Sequence, residues 1–383
     1  MKARVSRSVG VTVVLLLAGC AGTQATKRYT RDEAAALLNK LEITGLDLGE
    51  FPIDGASAVI DGDTIRVKGL SSSMRLLGID TEETFKHDYE RELFAQGWET
   101  YKKKLRGSSS HPVKMATPVG DEAKQFAQNF FQNSRTVKLE RDHPGEIRDF
   151  YGRYLAYVFA KNPEGKWVNY NVECVRAGYA PYFMKYGRSR RFHKDFVEAQ
   201  EEARAAKRGI WKPGGMHYDD YDERLKWWAE REAVIYRFEK EQQQHPADHI
   251  ALTRWDAMLK LEQLVGQQAT VLASVQELKF GEKGPSVVKL ARSRTATLDV
   301  VFFDQDVLLA TGLQFKKGEF VVIKAQVSKY KDNRGGEKLQ LRVTLPGQVL
   351  APSSQLEEML RESGGDPEDN PDARPSERSD ESD

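Results

Sequence analysis

Residues 58–84 constrain what this chain can become more than any other stretch. Ala58, Val59 and Ile60 form a short apolar run, and Asp61-Gly62 is a strong turn pair. Thr64-Ile65-Arg66-Val67 returns with alternating character, so the unit predicts a β-hairpin. Asp63 sits where the turn hands over to the returning strand, with backbone holding it on both sides. A third strand, 74–79, follows and ends in Asp80-Thr81-Glu82-Glu83. One small sheet thereby gathers two Asp, a Glu and Arg75. Carboxylates at strand ends suit a hard divalent cation, and a cation beside them suits an anionic group such as a phosphate. A regular strand puts Arg75 and Asp80 on opposite faces, so the strand must end or bulge near Gly78 if both are to serve one site.

Val59-Ile60-Asp61-Gly62-Asp63-Thr64 and the run from Arg75 to Glu83 closely resemble the active-site segments of staphylococcal nuclease and its thermonuclease-like relatives. Asp149-Phe150-Tyr151-Gly152-Arg153-Tyr154 resembles the second arginine segment of that family. Val168-Asn169, Arg176-Ala177-Gly178-Tyr179-Ala180 and the stretch 199–211 follow in the family's order. Several separated motifs in the right order are far more specific than any one of them. The resemblance spans residues 48–213 and implies a five-stranded barrel of the OB type with helices at its ends. It implies Asp63, Asp80 and the carbonyl of Thr81 as ligands of one Ca²⁺, and Glu83 as the group acting on the attacking water. Arg75 and Arg153 would fork onto the phosphate, and Tyr151 would contact it, with Tyr182 and Tyr186 bordering the base pocket. Breakage on the 5′-oxygen side of DNA or RNA, leaving 3′-phosphates, is the implied reaction. Two departures stand out. Glu82 occupies the position where the family usually has Pro, which leaves the choice between Glu82 and Glu83 a matter of register. Phe150 stands where a basic residue is common.

The chain begins with Lys2, Arg4 and Arg7 and an apolar run, 9–18, too short to span a bilayer, which reads as a secretory signal over residues 1–19. Leu17-Ala18-Gly19-Cys20 resembles a bacterial lipobox, so Cys20 is expected to carry lipid and tether the chain to a membrane of the cell envelope. The second cysteine, Cys174, lies in an apolar helical stretch and reads as a small core residue; with so few cysteines a zinc cluster is excluded. Residues 20–47 read as a tether and a short helix at 31–41.

The formal net charge of +1 conceals an asymmetry. Residues 351–383 hold eleven Asp or Glu against three Arg and read as a disordered acidic tail. The body before it is modestly basic, compatible with single-stranded DNA or RNA as a partner.

An insertion, 85–119, departs from the compact family pattern. Residues 89–105 predict one amphipathic helix ending in Lys102-Lys103-Lys104, which either guides a nucleic-acid backbone or simply complements the helix dipole. Further helices are expected at 121–133, 168–177 and 196–208, and strands at 136–140 and 154–160. Residues 214–265 predict a helical hairpin linker: a long helix at 221–244 carrying Trp227, Trp228, Ile235 and Phe238, then a second helix after His245-Pro246. Aromatics at helical spacing are usually packing residues. Five strand-like stretches between 266 and 350, with a short helix before the fourth, predict a second OB-like barrel that has no catalytic constellation and serves binding. The sequence thus points to a lipid-anchored, Ca²⁺-dependent nuclease. The alternative is a barrel that binds nucleic acid, or scaffolds the envelope, without cutting.

Overall fold

The computed structural model describes residues 46–350 except 110, 111, 295, 333 and 334. The expected leader with Cys20, the helix at 31–41 and the acidic tail lie outside the described residues.

The first sheet contains β1 (Asp47–Pro52), β2 (Val59–Asp61), β3 (Thr64–Ile65), β4 (Met74–Leu76), β5 (Thr136–Glu140), β6 (Tyr154–Lys161) and β7 (Trp167–Asn169). The strands lie side by side in the order β1-β5-β6-β4-β3-β2, with β7 on β6. The two outermost, β1 and β2, are consecutive pieces of chain separated by the 3-10 turn Gly55–Ala58. β4 and β6 run parallel, with Arg75 opposite Leu155. Ile65, Leu76, Val137, Leu139 and Val158 point into one apolar core, where Cys174 also lies, fully buried. The helices at its ends are α3 (Pro118–Phe131), α4 (Tyr170–Arg176) and α5 (His193–Ala205). Thr117 caps α3 by accepting the N–H of Gly120 at 3.0 Å, and Pro118 follows at the first helical position, where its missing N–H costs nothing.

The second sheet begins with β8 (His249–Ala251) and continues through β9 (Gln268–Lys279), β10 (Ser286–Ser293), β11 (Ala296–Phe302), β12 (Phe320–Lys331), β13 (Glu337–Val343) and β14 (Val349–Leu350). β9, β10, β11, β13 and β12 form a closed ring, because β12 pairs back onto β9. Its third and fifth strands, β11 and β13, run parallel, as β4 and β6 do in the first sheet. The OB-type topology expected of both units is what the chain adopts.

Two elements differ from expectation. The insertion folds as two helices, α1 (Asp88–Ala95) and α2 (Trp98–Arg106), divided at Gly97, whose φ of 112° a residue with a side chain rarely adopts. The helical hairpin is not formed either. α6 (Tyr221–Gln244) runs as expected, but His249–Ala251 pairs in parallel with β9, and helix resumes only in α7 (Ala257–Gln263). Ile250 and Leu252 find burial in the second barrel as strand residues, and that tertiary gain overrides their helical spacing.

α6 belongs to both halves. Tyr221 in its first turn, with Tyr218 just before it, packs with Tyr101, Met115 and Ile210. Further along, Val234, Ile235 and Phe238 pack against Leu272, Phe320 and Val322 of the second barrel. Among the described residues no helix is long and apolar enough to cross a membrane.

Candidate active site

β4 stops at Leu76, and Gly78 turns the chain at φ 73°. A Cβ at Gly78 would also come within 2.6 Å of the Phe196 ring, so both the turn and the close packing demand glycine there. This early stop lets the guanidinium of Arg75 reach back along its own chain. Its Nη2 donates to the carbonyl of Ile79 at 3.0 Å and to a carboxylate oxygen of Asp80, while its Nη1 pairs with Asp63. Asp63 also accepts the hydroxyl of Thr64 at 2.9 Å and the N–H of Thr81 at 3.2 Å. Burial works against charge on Asp63, but Arg75, Lys114 and these hydrogen bonds outweigh it and hold the carboxyl at about 2. Arg75 is likewise held above its ordinary value: burial opposes its charge, and Asp63 and Asp80 overcome that.

Glu82 and Glu83 part company. Glu82 is 1% exposed and accepts hydrogen bonds from the Thr117 hydroxyl, the Tyr218 N–H at 2.7 Å and the Tyr221 hydroxyl at 2.7 Å. Glu83 faces outward, with its side chain 34% exposed and its carboxylate 3.0 Å from Lys86 and 3.6 Å from Lys114. Its carbonyl accepts the N–H of Thr117 at 3.0 Å, and α3 approaches so closely that a Cβ on Gly120 would lie 2.0 Å from that oxygen.

The structure therefore brings Asp63, Arg75, Asp80 and Glu83 together, with Thr81 between the two acids' environments. It does not bring Arg153 into contact with them. Arg153 donates to Asp149 at 2.7 Å, just before β6 and two residues ahead of the partner of Arg75. Tyr151 is 67% exposed, with the Arg153 guanidinium 5.6 Å from its ring centre. Tyr186 is exposed as well. Tyr182 departs from expectation: it is 1% exposed, stacked on Phe196, and its hydroxyl accepts the N–H of Ser189 at 2.7 Å. Alternation along the chain turns its neighbour Phe183 toward the site, with the Arg75 guanidinium 5.8 Å from the Phe183 ring centre.

Two cations were not anticipated. Lys86 bridges Glu83 and Asp61, 3.0 Å from each. Lys114, from the end of the insertion, lies 2.6 Å from Asp80. Lys86 follows Glu83 by three residues and was legible as its neighbour. Nothing local in the sequence connects Lys114 to Asp80. Tyr218 connects them, its hydroxyl both accepting from the Met115 N–H at 2.9 Å and donating to the Met115 carbonyl at 2.8 Å. The basic end of α2 is engaged elsewhere: Lys102 pairs with Asp219, and Arg106 with Asp220 and Glu223.

A family model described as staphylococcal nuclease homologue matches residues 73–213. The thermonuclease of Staphylococcus hyicus is 30% identical over 155 residues, covering 40% of this chain and 72% of that protein. The chain belongs to the staphylococcal nuclease family. An uncharacterized protein of Methanocaldococcus jannaschii, MJ1439, is 32% identical over 155 residues, 40% of this chain and 68% of that protein. Endonuclease YncB of Bacillus subtilis is 30% identical over 158 residues, 41% of this chain and 60% of its own length. The family match ends before Tyr218 and Tyr221, so both tyrosines that hold Glu82 come from outside the matched region.

Proposed function

We propose that this chain hydrolyses phosphodiester bonds of DNA or RNA with Ca²⁺ as cofactor, leaving 3′-phosphate ends. We propose further that it works outside the cytoplasm, tethered to a membrane by lipid on Cys20. The observation that carries the nuclease reading is the Arg75 guanidinium forked between Asp63 and Asp80, with Glu83 beside them.

Among the described residues no three His, Cys, Asp or Glu side chains converge into a metal cage. The donors at hand are nevertheless of the kind a hard cation takes: the carboxylates of Asp63 and Asp80 and the carbonyl of Thr81, all oxygen. The Thr81 hydroxyl, beside Gly62, is buried without a hydrogen-bond partner among the described residues, a further oxygen left over by the protein's own contacts. Bound to this set, Ca²⁺ would neutralise charge on a phosphate oxygen.

The chain's own groups do the rest. Arg75 stays cationic and presents planar donors that match the oxygens of a phosphate, and its contacts with Asp63 and Asp80 fix its direction before substrate arrives. Glu83 lies at the edge of solvent, where its carboxylate can orient a water molecule and take its proton. Arg153, on turning from Asp149, supplies a second guanidinium to the charge that builds as the bond breaks, and Tyr151 stands beside it.

One observation favours the alternative of a barrel that binds without cutting. The Lys114 ammonium rests 2.6 Å from Asp80, so a fixed cation already shares one of the proposed Ca²⁺ ligands. Mass spectrometry of the products from a single-stranded oligonucleotide separates the two. Ends bearing 3′-phosphate and 5′-hydroxyl, formed in Ca²⁺ and not in chelator, are expected. Binding without cleavage in any divalent cation would favour the alternative.

A further inference from the structure

The exposed aromatics assigned to substrate, Tyr151 and Tyr186, both lie where the second barrel meets the first. On one side, the N–H of Arg294 donates to the carbonyl of Phe150 at 3.0 Å, so the turn from β10 to β11 abuts the turn that carries Tyr151. On the other, the Tyr186 ring meets Phe320 edge-on, with centroids 6.3 Å apart, at the start of β12. Lys185, next to Tyr186, holds its ammonium 4.0 Å from the centre of the Trp227 ring on α6. Glu319 of the second barrel fixes this wall: it accepts from Trp227 at 3.1 Å and from Arg231 at 2.7 Å.

The charges along this junction are unbalanced. Arg292 and Arg294 are exposed, and among the described residues neither guanidinium makes an ion pair with an acid; the Lys185 ammonium feels Asp80 and Glu319 without an ion pair to either. Lys185 also lies within electrostatic reach of Asp80 and Lys114 in the candidate active site. Unpaired cations interleaved with aromatic rings are what a channel for a single strand requires: the cations follow the phosphates and the rings receive bases. The backbone of Arg294 is anchored on the Phe150 carbonyl, so the second barrel adds an arginine at the turn that already holds Arg148 and Arg153.

We propose that the second barrel is the far wall of the substrate groove. Arg292, Arg294 and Lys185 bind the backbone phosphates of nucleotides flanking the one at the active site, in a single-stranded nucleic acid. This rests on the nuclease reading and gives the second barrel its role in it.

Fluorescence anisotropy on the full chain in chelator tests the assignment, with labelled thymidine oligomers of about 20 and about 3 nucleotides titrated across salt. For Arg292→Ala/Arg294→Ala, the longer oligomer should bind about tenfold more weakly. Its log–log salt slope should be shallower by about 1.4, the loss expected for two phosphate contacts on a single strand. The short oligomer should lose distinctly less. Arg294→Glu should weaken the longer oligomer further, and thermal melting of each variant should match the parent, because both residues are exposed. Equal affinity and slope for parent and variants, or equal losses for both oligomers, would overturn the assignment alone. A parent chain that binds neither oligomer would overturn it, and one that also fails to cut in Ca²⁺ would overturn the nuclease reading with it.

Discussion

Glu82 and Glu83 are adjacent acids with opposite surroundings, and their substitutions should separate stability from catalysis. Glu82→Ala leaves the Thr117 and Tyr221 hydroxyls and the Tyr218 N–H without their acceptor, and should cost about 2–4 kcal/mol in denaturant unfolding. Glu83→Gln gives up only partly exposed contacts with Lys86 and Lys114 and should change stability by less than about 1 kcal/mol. Its cleavage rate should nonetheless fall about 10²–10⁴-fold. Asp63 gives a pH signature. Its folded value of about 2 lies below the ordinary 3.8, so its contribution to stability is complete above about pH 4 and is lost as pH falls toward 2. The shift corresponds to about 2 kcal/mol, and Asp63→Asn should flatten the stability–pH curve in that window. At this scale the sequence was partly legible. Asp63, Arg75 and Asp80 converge as the motif order implied, because all three are set by one hairpin and the turn at Gly78. The choice between the two glutamates was not legible, because it is made by tyrosines more than 130 positions away. Tyr182 is turned into the core and Phe183 toward Arg75, because one residue of register moves a side chain from one face to the other.

At the scale of elements, the strands were the most legible part. Turn pairs and alternation mark β2 and β3, and the five strand-like stretches expected between 266 and 350 are β9 to β13. What escaped was decided by contacts distant in the chain. β8 is a strand only because β9 accepts it, and Gly97 splits an otherwise continuous amphipathic pattern. α6 is the element with most consequence, because its first turn reaches into the candidate active site. Arg224 donates to the Val113 carbonyl at 2.6 Å, Tyr218 just before the helix holds Met115, and the Tyr221 hydroxyl donates to Glu82, so both flanks of Lys114 are tied to the start of α6. Tyr221→Phe removes one donor to a buried carboxylate and should cost about 1–3 kcal/mol, read by urea unfolding, with cleavage reduced as the segment loosens. No change in either would mean that α6 merely covers the first barrel.

At the scale of the molecule, two barrels of the same strand order face one another across α6, one carrying the acids and arginines and the other carrying Arg292 and Arg294, which have no acidic partner among the described residues. Sequence patterning revealed that there were two barrels, since each writes its own alternation into the chain. It could not reveal their juxtaposition, which depends on contacts such as Arg294 with Phe150 and Glu319 with Arg231 that leave no local trace. At this scale the proposal is that the Asp63–Arg75–Asp80–Glu83 cluster cuts phosphodiester bonds. The most direct test is the initial rate of single-stranded DNA cleavage by the purified chain in Ca²⁺ and in chelator, alongside Arg75→Ala and Glu83→Gln. Cutting is expected in Ca²⁺ and not in chelator, reduced at least about 100-fold by either substitution. Cutting that persists in chelator, or that survives both substitutions, would contradict it.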